Sequence, residues 1–169
     1  MELLKILTYP DKFLKKTAKP VHDIDGSTQD IINKMAATMY AAPGSGLAAT
    51  QVGRDMRIFV YDVAPPTENR MLQVIINPVI AEREGIVISE DEGCLSVLDF
   101  RANVTRSASI LVQGLDREGN PMEIQAEGYL AIVLQHEIDH LNGTLFVDHV
   151  SSLKREMYQR RIQKQLRQK

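Results

Sequence analysis

The sequence predicts an α+β domain, and three observations carry that expectation. Apolar residues recur at helical spacing near the start of the chain and again toward its end. Between these stretches lie short apolar runs, bounded by Gly, Pro, Asn and Asp, that read as strands. Strands and helices do not alternate in the β-α-β manner of a parallel sheet. The expected architecture is a single domain over residues 1–169. Short, mostly antiparallel strands surround a central helix, and a further helix closes the C-terminus.

Each element has its own local reason. After Pro10, residues 11–16 read as a short helix. A longer helix starts near Ser27 or Thr28, where Ile31, Ile32, Met35 and Met39 form a core-facing stripe. Pro43-Gly44-Ser45-Gly46 must stop it. Residues 57–63 read as a strand and residues 64–69, with Pro65 and Pro66, as an exposed loop. Strands are expected over 72–80 and 86–89, turning near Glu84-Gly85. Residues 110–115 and 122–126 form a hairpin around 116–120. Residues 129–141 are helical, and a last helix runs from Ser152 toward Lys169.

Composition narrows the function. Hydrophobic residues make up 44% and charged residues 25%, as in ordinary globular chains, and the net charge of -2 argues against general affinity for nucleic acid, DNA included, or membranes. No run has the length of a membrane span or the shape of a signal peptide. The single cysteine, Cys94, excludes an internal disulfide and makes a reducing, cytoplasmic setting the default expectation.

The most informative stretch is His136-Glu137-Ile138-Asp139-His140. On a helix, residues four apart share a face, so both imidazoles can reach one metal ion while Glu137 stands beside it as a base. Ile132, Val133, His136, Glu137 and His140 share one side of that helix; Leu130, Leu134, Ile138 and Leu141 share another. A third ligand is needed. Downstream, Glu156 sits in a basic tail, Phe146 occupies the position a third histidine would need, and His149 is out of register. Upstream, Cys94 in Glu92-Gly93-Cys94-Leu95-Ser96 is the only thiol, and either ligation or simple burial would explain it. The segment from Gly44 to Gly53 permits close backbone approach, and Gln51 brings a neutral amide suited to meeting an oxyanion. The same segment also reads as a plain helix stop followed by a small-residue strand.

Together the three clusters resemble the peptide deformylase family, which carries G-x-G-x-A-A-x-Q, E-G-C-L-S and Q-H-E-x-D-H in that order. Here they stand at Gly44 to Gln51, Glu92 to Ser96 and Gln135 to His140, and the resemblance covers nearly the whole chain. It implies Cys94, His136 and His140 as metal ligands. Iron(II) would be the native ion, with zinc, nickel or cobalt able to replace it. It implies Glu137 as general base and Gln51, with the backbone N–H of Leu95, as oxyanion hole. The implied reaction removes the formyl group from the N-terminal methionine of nascent peptides and releases formate. Gly44, Ser45, Gly46, Glu92, Gly93, Tyr129, Ile132 and Val133 are the expected substrate-binding positions, although Ile132 and Val133 could equally be core.

Four further expectations concern the surroundings. Pro43 and Ser45 replace the acidic and aliphatic residues of many relatives, and Leu98-Asp99 replaces a proline-containing turn. Both are expected at the rim of the substrate cleft. Glu92 and Arg106 are a candidate pair supporting the metal site, against the plain alternative of solvated surface charges. The basic tail over 152–169 is either a solvated amphipathic helix or a contact for ribosomal RNA. A metalloprotease or a noncatalytic metal-stabilised or RNA-binding module would be the competing classes. The first lacks a downstream ligand, and the second leaves Glu137 and Gln51 without a task.

Overall fold

In the computed structural model, which describes residues 2–168, a helix near each end and one between the sheets and the C-terminal segment frame seven strands. Helix α1 (Gly26–Ala41) is capped by Asp25, whose carboxylate accepts the Thr28 N–H at 3.0 Å. Its expected stripe is buried at Ile32, Met35 and Met39, whereas Ile31 is only half-buried. The helix stops one residue before Pro43, as the breaker cluster demands. The short helix expected after Pro10 is a single 3₁₀ turn, Lys12–Lys15.

Strands β1 (Gly46–Ala48), β2 (Ile58–Tyr61), β3 (Gln73–Glu84), β6 (Ser109–Leu115) and β7 (Pro121–Glu127) form a five-stranded sheet in the order β1-β2-β3-β6-β7. Strands β4 (Val87–Cys94) and β5 (Val97–Arg106) form a separate hairpin. Every ladder is antiparallel. The 116–120 loop closes the β6–β7 hairpin as expected, with the Asp116 carboxylate accepting the Glu118 and Asn120 N–H groups and Gly119 taking φ +89°.

The strands expected before and after Glu84-Gly85 are present, and two features of the sheets go beyond that expectation. The chain turns at Gly85 (φ +66°), but the strands on either side do not pair. Strand β3 pairs with β6, and β4 leaves the large sheet for β5. Strand β5 itself was not anticipated. Its inward residues include Ala102, Val104 and the buried cation Arg106, so period-two hydrophobicity is masked.

Helix α2 (Gly128–Leu141) lies between the two sheets. Ala131, Leu134, Ile138 and Leu141 pack with Phe59, Ile75, Ile110, Val112 and Ala126 of the large sheet. Each large aliphatic chain buried there contributes roughly 1.5–3 kcal/mol. The opposite face of α2 is turned toward β4 and β5. Helix α3 (Ser152–Arg167) covers the outside of the hairpin through Tyr158 and Ile162. Leu98 and Asp99 belong to this contact and not to the cleft rim: the Tyr158 hydroxyl donates to the Leu98 carbonyl at 3.2 Å and Arg161 donates to that of Asp99. Among the described residues, no helix is long and apolar enough to cross a membrane.

Candidate metal centre

Three donor atoms converge where α2 meets the end of β4. His136 and His140 are one turn apart on α2, and their Nε2 atoms stand 3.2 Å from each other. Cys94, the last residue of β4, brings its Sγ to 3.3 Å from the His140 Nε2. All three donors lie within 4.8 Å of one another. Nitrogens bound to one tetrahedral ion at about 2.0–2.1 Å would be roughly 3.3 Å apart, so the spacing fits a single divalent cation. A thiol and two imidazoles from three protein positions leave a fourth position open.

The orientation of His136 is built in. Its Nδ1 meets the Glu92 carboxylate at 2.7 Å, which directs Nε2 toward Cys94 and His140. Both Glu92 oxygens bond to Arg106, at 3.0 and 2.5 Å, and both side chains are buried. Burial opposes ionisation of Glu92, but Arg106 and His136 outweigh it and hold the carboxyl at about 2. Arg106 reaches on to Asp139 at 3.0 Å, and Asp139 meets His149 at 2.8 Å. The candidate Glu92–Arg106 pair is therefore present. Glu92 borders the cleft, yet its oxygens face the ligand and the cation. The Asp139–His149 extension has no signal in the sequence, since nothing in the spacing of those two residues announces it. The Nδ1 of His140, by contrast, has no partner among the described residues.

Glu137 is buried beside the donors, and its Oε2 also lacks a partner. A buried carboxylate oxygen without a donor is a position prepared for something else, a water or a substrate atom. Burial pushes this carboxyl up to about 7, against the pull of His136 and Arg106. Gly46 makes room for it: a Cβ there would lie 2.7 Å from the Glu137 Cδ. The glycine of the first cluster is thus explained by contact with the third.

Gln51 sits in a 3₁₀ turn, Ala49–Val52, directly after β1. The Ala48 N–H donates to its Oε1 at 2.9 Å, and a backbone N–H can only donate, so Nε2 is the atom turned to the centre. That Nε2 lies 3.1 Å from Ser96 Oγ and 3.7 Å from Cys94 Sγ. Buried Ser96 is a further residue of the site that the motifs indicate only as part of a cluster.

These groups open onto a cleft of about 650 Å³. Pro43 to Gly46 line it on one side, Ile88 to Cys94 of β4 and the following Leu95 on another, and α2 contributes Tyr129, Ile132, Val133, His136 and Glu137. Every expected substrate-binding position borders it. Leu95 also packs on the first wall, since a Cβ on Gly44 would come within 2.7 Å of its Cδ1. Glu90, Asp91 and Arg101 border the mouth as well, and the sequence does not single them out because charged strand residues are too ordinary.

Comparison with known proteins agrees with this geometry. The sequence model of a family described as polypeptide deformylase matches residues 3–156. A peptide deformylase of Desulfosudis oleivorans is 52% identical over 168 residues, covering 99% of this chain and 97% of the relative. One of Thermodesulfovibrio yellowstonii is 48% identical over 162 residues, with 96% and 98% covered. Among solved structures, a Legionella pneumophila peptide deformylase superposes with a TM-score of 0.90 at 48% identity, covering 98% of this chain and 96% of that one. An Ehrlichia chaffeensis peptide deformylase in complex with actinonin gives 0.91 at 40% identity, with 98% of each chain covered.

Proposed function

The chain belongs to the polypeptide deformylase family, and from that premise we propose how its own residues carry out removal of the formyl group from formyl-methionyl nascent peptides. Cys94, His136 and His140 would hold one divalent cation, with iron(II) the native ion and zinc, nickel or cobalt able to replace it. Donors of one thiol and two imidazoles suit any of these. When bound, the ion supplies Lewis-acid chemistry, polarising the formyl carbonyl and lowering the pKa of water.

Glu137 accepts the proton of the attacking water at the oxygen that has no partner among the described residues. Gln51 presents Nε2, and Leu95 its backbone N–H, to the formyl oxygen as charge develops there. A single donor of this kind is worth roughly 10²–10³ in rate. Glu137 then gives its proton to the departing amine, the C–N bond breaks, and formate leaves. Glu92 and Arg106 act by holding His136 in register. Ile132 and Val133 offer an apolar floor to the methionine side chain, with Gly44, Ser45, Gly46, Gly93 and Tyr129 around it. Residues 1–169 act as one catalytic unit in a cytoplasmic setting. The basic tail over 152–169, which contains α3, is read as a contact for ribosomal RNA.

The observation that carries this reading is the convergence of three donor atoms beside a buried carboxylate oxygen that has no partner among the described residues. Formate release from a formyl-methionyl peptide by iron(II)- or nickel(II)-loaded protein tests it, with Glu137→Ala as the control. Properly metallated protein that yields no formate would overturn it.

A further inference from the structure

A hydroxyl pair in the cleft serves no purpose in binding a thioether side chain. The Tyr129 hydroxyl donates to Ser45 Oγ at 2.7 Å, joining the first turn of α2 to the opposite wall across 84 residues of sequence. Ser45 is fixed a second time, because its carbonyl accepts the Asp62 N–H at 3.0 Å. Both hydroxyls border the cleft, Tyr129 at its exposed end, together with half-buried Ile132 and buried Val133. Tyr129, Ile132, Val133 and His136 follow one another at helical spacing on one face of α2. A side chain lying along that face from the reacting centre passes the aliphatic pair on its way toward the hydroxyls.

The donor balance of the pair matters. The Tyr129 proton is used on Ser45. The Ser45 proton donates to no acceptor among the described residues, so one O–H remains to offer into the cleft. A thioether sulfur is a weak acceptor and gains little from it. Oxidation of methionine to the sulfoxide adds a strong acceptor oxygen to the same chain. In a wholly aliphatic pocket that oxygen would lose its water without replacement, a penalty on the order of tenfold or more in binding.

We propose that the Ser45 hydroxyl, which accepts from Tyr129 and keeps its own proton free, determines side-chain specificity and admits peptides whose first residue is formylated methionine sulfoxide. The inference rests on the deformylase reading of the site. The chemistry is unchanged: water adds, the formyl C–N bond breaks, formate and the free amine leave, and the sulfur keeps its oxidation state. Because the sulfoxide is chiral and the donor is fixed, one epimer is preferred.

The test measures kcat/KM for formyl-methionyl and formyl-methionine-sulfoxide forms of one peptide, each epimer separately, on metal-loaded protein. The readout is the sulfoxide-to-thioether ratio within each variant, so any general loss of activity cancels. Tyr129→Phe cuts the bridge but leaves the Ser45 donor, and the ratio should stay within about twofold. Ser45→Val with Tyr129→Phe removes both hydroxyls, and the ratio should fall about tenfold with loss of the epimer preference. A merely structural bridge would make the single and double variants alike. Turnover of the thioether peptide with the same ratio and epimer preference in wild-type and double-variant protein would overturn the inference alone. Formate from neither peptide with wild-type protein would overturn the reading beneath it, and the inference with it.

Discussion

Helices α2 and α3 are of similar length, 14 and 16 residues, and the chain uses them in opposite ways. Helix α2 is buried on nearly all sides. One stripe packs on the large sheet, and the other carries His136, Glu137 and His140 to the bottom of the cleft. Helix α3 buries only Tyr158 and Ile162 and carries six cations and one acid, most of them exposed. Burial is what gives a side chain on α2 unusual chemistry, because a low-dielectric site magnifies each missing or added partner. On α3 the charged groups stay hydrated and weakly coupled. The contrast predicts that single substitutions should have steeply graded effects, largest beside α2 and smallest on the outer face of α3.

The largest effect is expected at Glu137. Glu137→Gln keeps size and burial but removes the proton acceptor. It should lower kcat by about 10²–10⁴-fold while the metal content of the purified protein stays that of the wild type. Loss of metal in step with activity would assign Glu137 to the ligand set and erase the division of labour drawn for α2.

Next is the support of His136. Glu92→Gln removes the charge that faces both His136 and Arg106. Metal affinity, read by competition with a chromophoric chelator, should fall about 10–100-fold. Arg106→Met should fall in the same direction, since it leaves Glu92 buried without its cation. Unaltered affinity in both variants would mean that His136 is held by packing alone.

How much of the molecule was legible in the sequence follows the same division. Helix α2 and its motif could be placed residue by residue, because helical spacing fixes which side chains share a face. The joining of Gly46 to Glu137 could not, because it depends on how β1 lies across α2. Strand β5 escaped notice because its inward face carries Arg106, a cation that strand patterns exclude until its partners, buried Glu92 and half-buried Asp139, are known. Leu98-Asp99 was expected at the cleft for want of any signal that α3 would fold back over β5. Pairings close in sequence are legible from periodicity; those that need a third element are not.

Helix α3 supplies a pH test of the contrast. Burial pushes the Tyr158 phenol up to about 12. A group that folding keeps protonated stabilises fully below its unfolded value near 10, and loses that contribution as pH rises toward 12. Alkaline titration should therefore destabilise the wild type by up to roughly 2 kcal/mol more than Tyr158→Phe between those limits. The variant serves as the control because the phenols of Tyr40 and Tyr61 are raised as well. Parallel stability curves for the two proteins would show that the phenol ionises without disturbing the contact to Leu98.

The smallest effect belongs to the outer charges of α3. Lys164 and Arg167 are exposed and make no ion pair among the described residues. They stand in the last turn, where cations interact favourably with the helix C-terminus by only a few tenths of a kcal/mol. Lys164→Gln with Arg167→Gln should shift unfolding free energy by less than about 0.5 kcal/mol. Turnover of short formyl peptides should stay at the wild-type value, because neither residue borders the cleft. Binding to ribosomes should weaken, and its dependence on salt should flatten, since each phosphate left without its cation takes close to one released counterion out of the slope. If ribosome affinity and its salt slope stay those of the wild type, these two cations form only a solvated face, and RNA contact, where it exists, lies elsewhere on the chain.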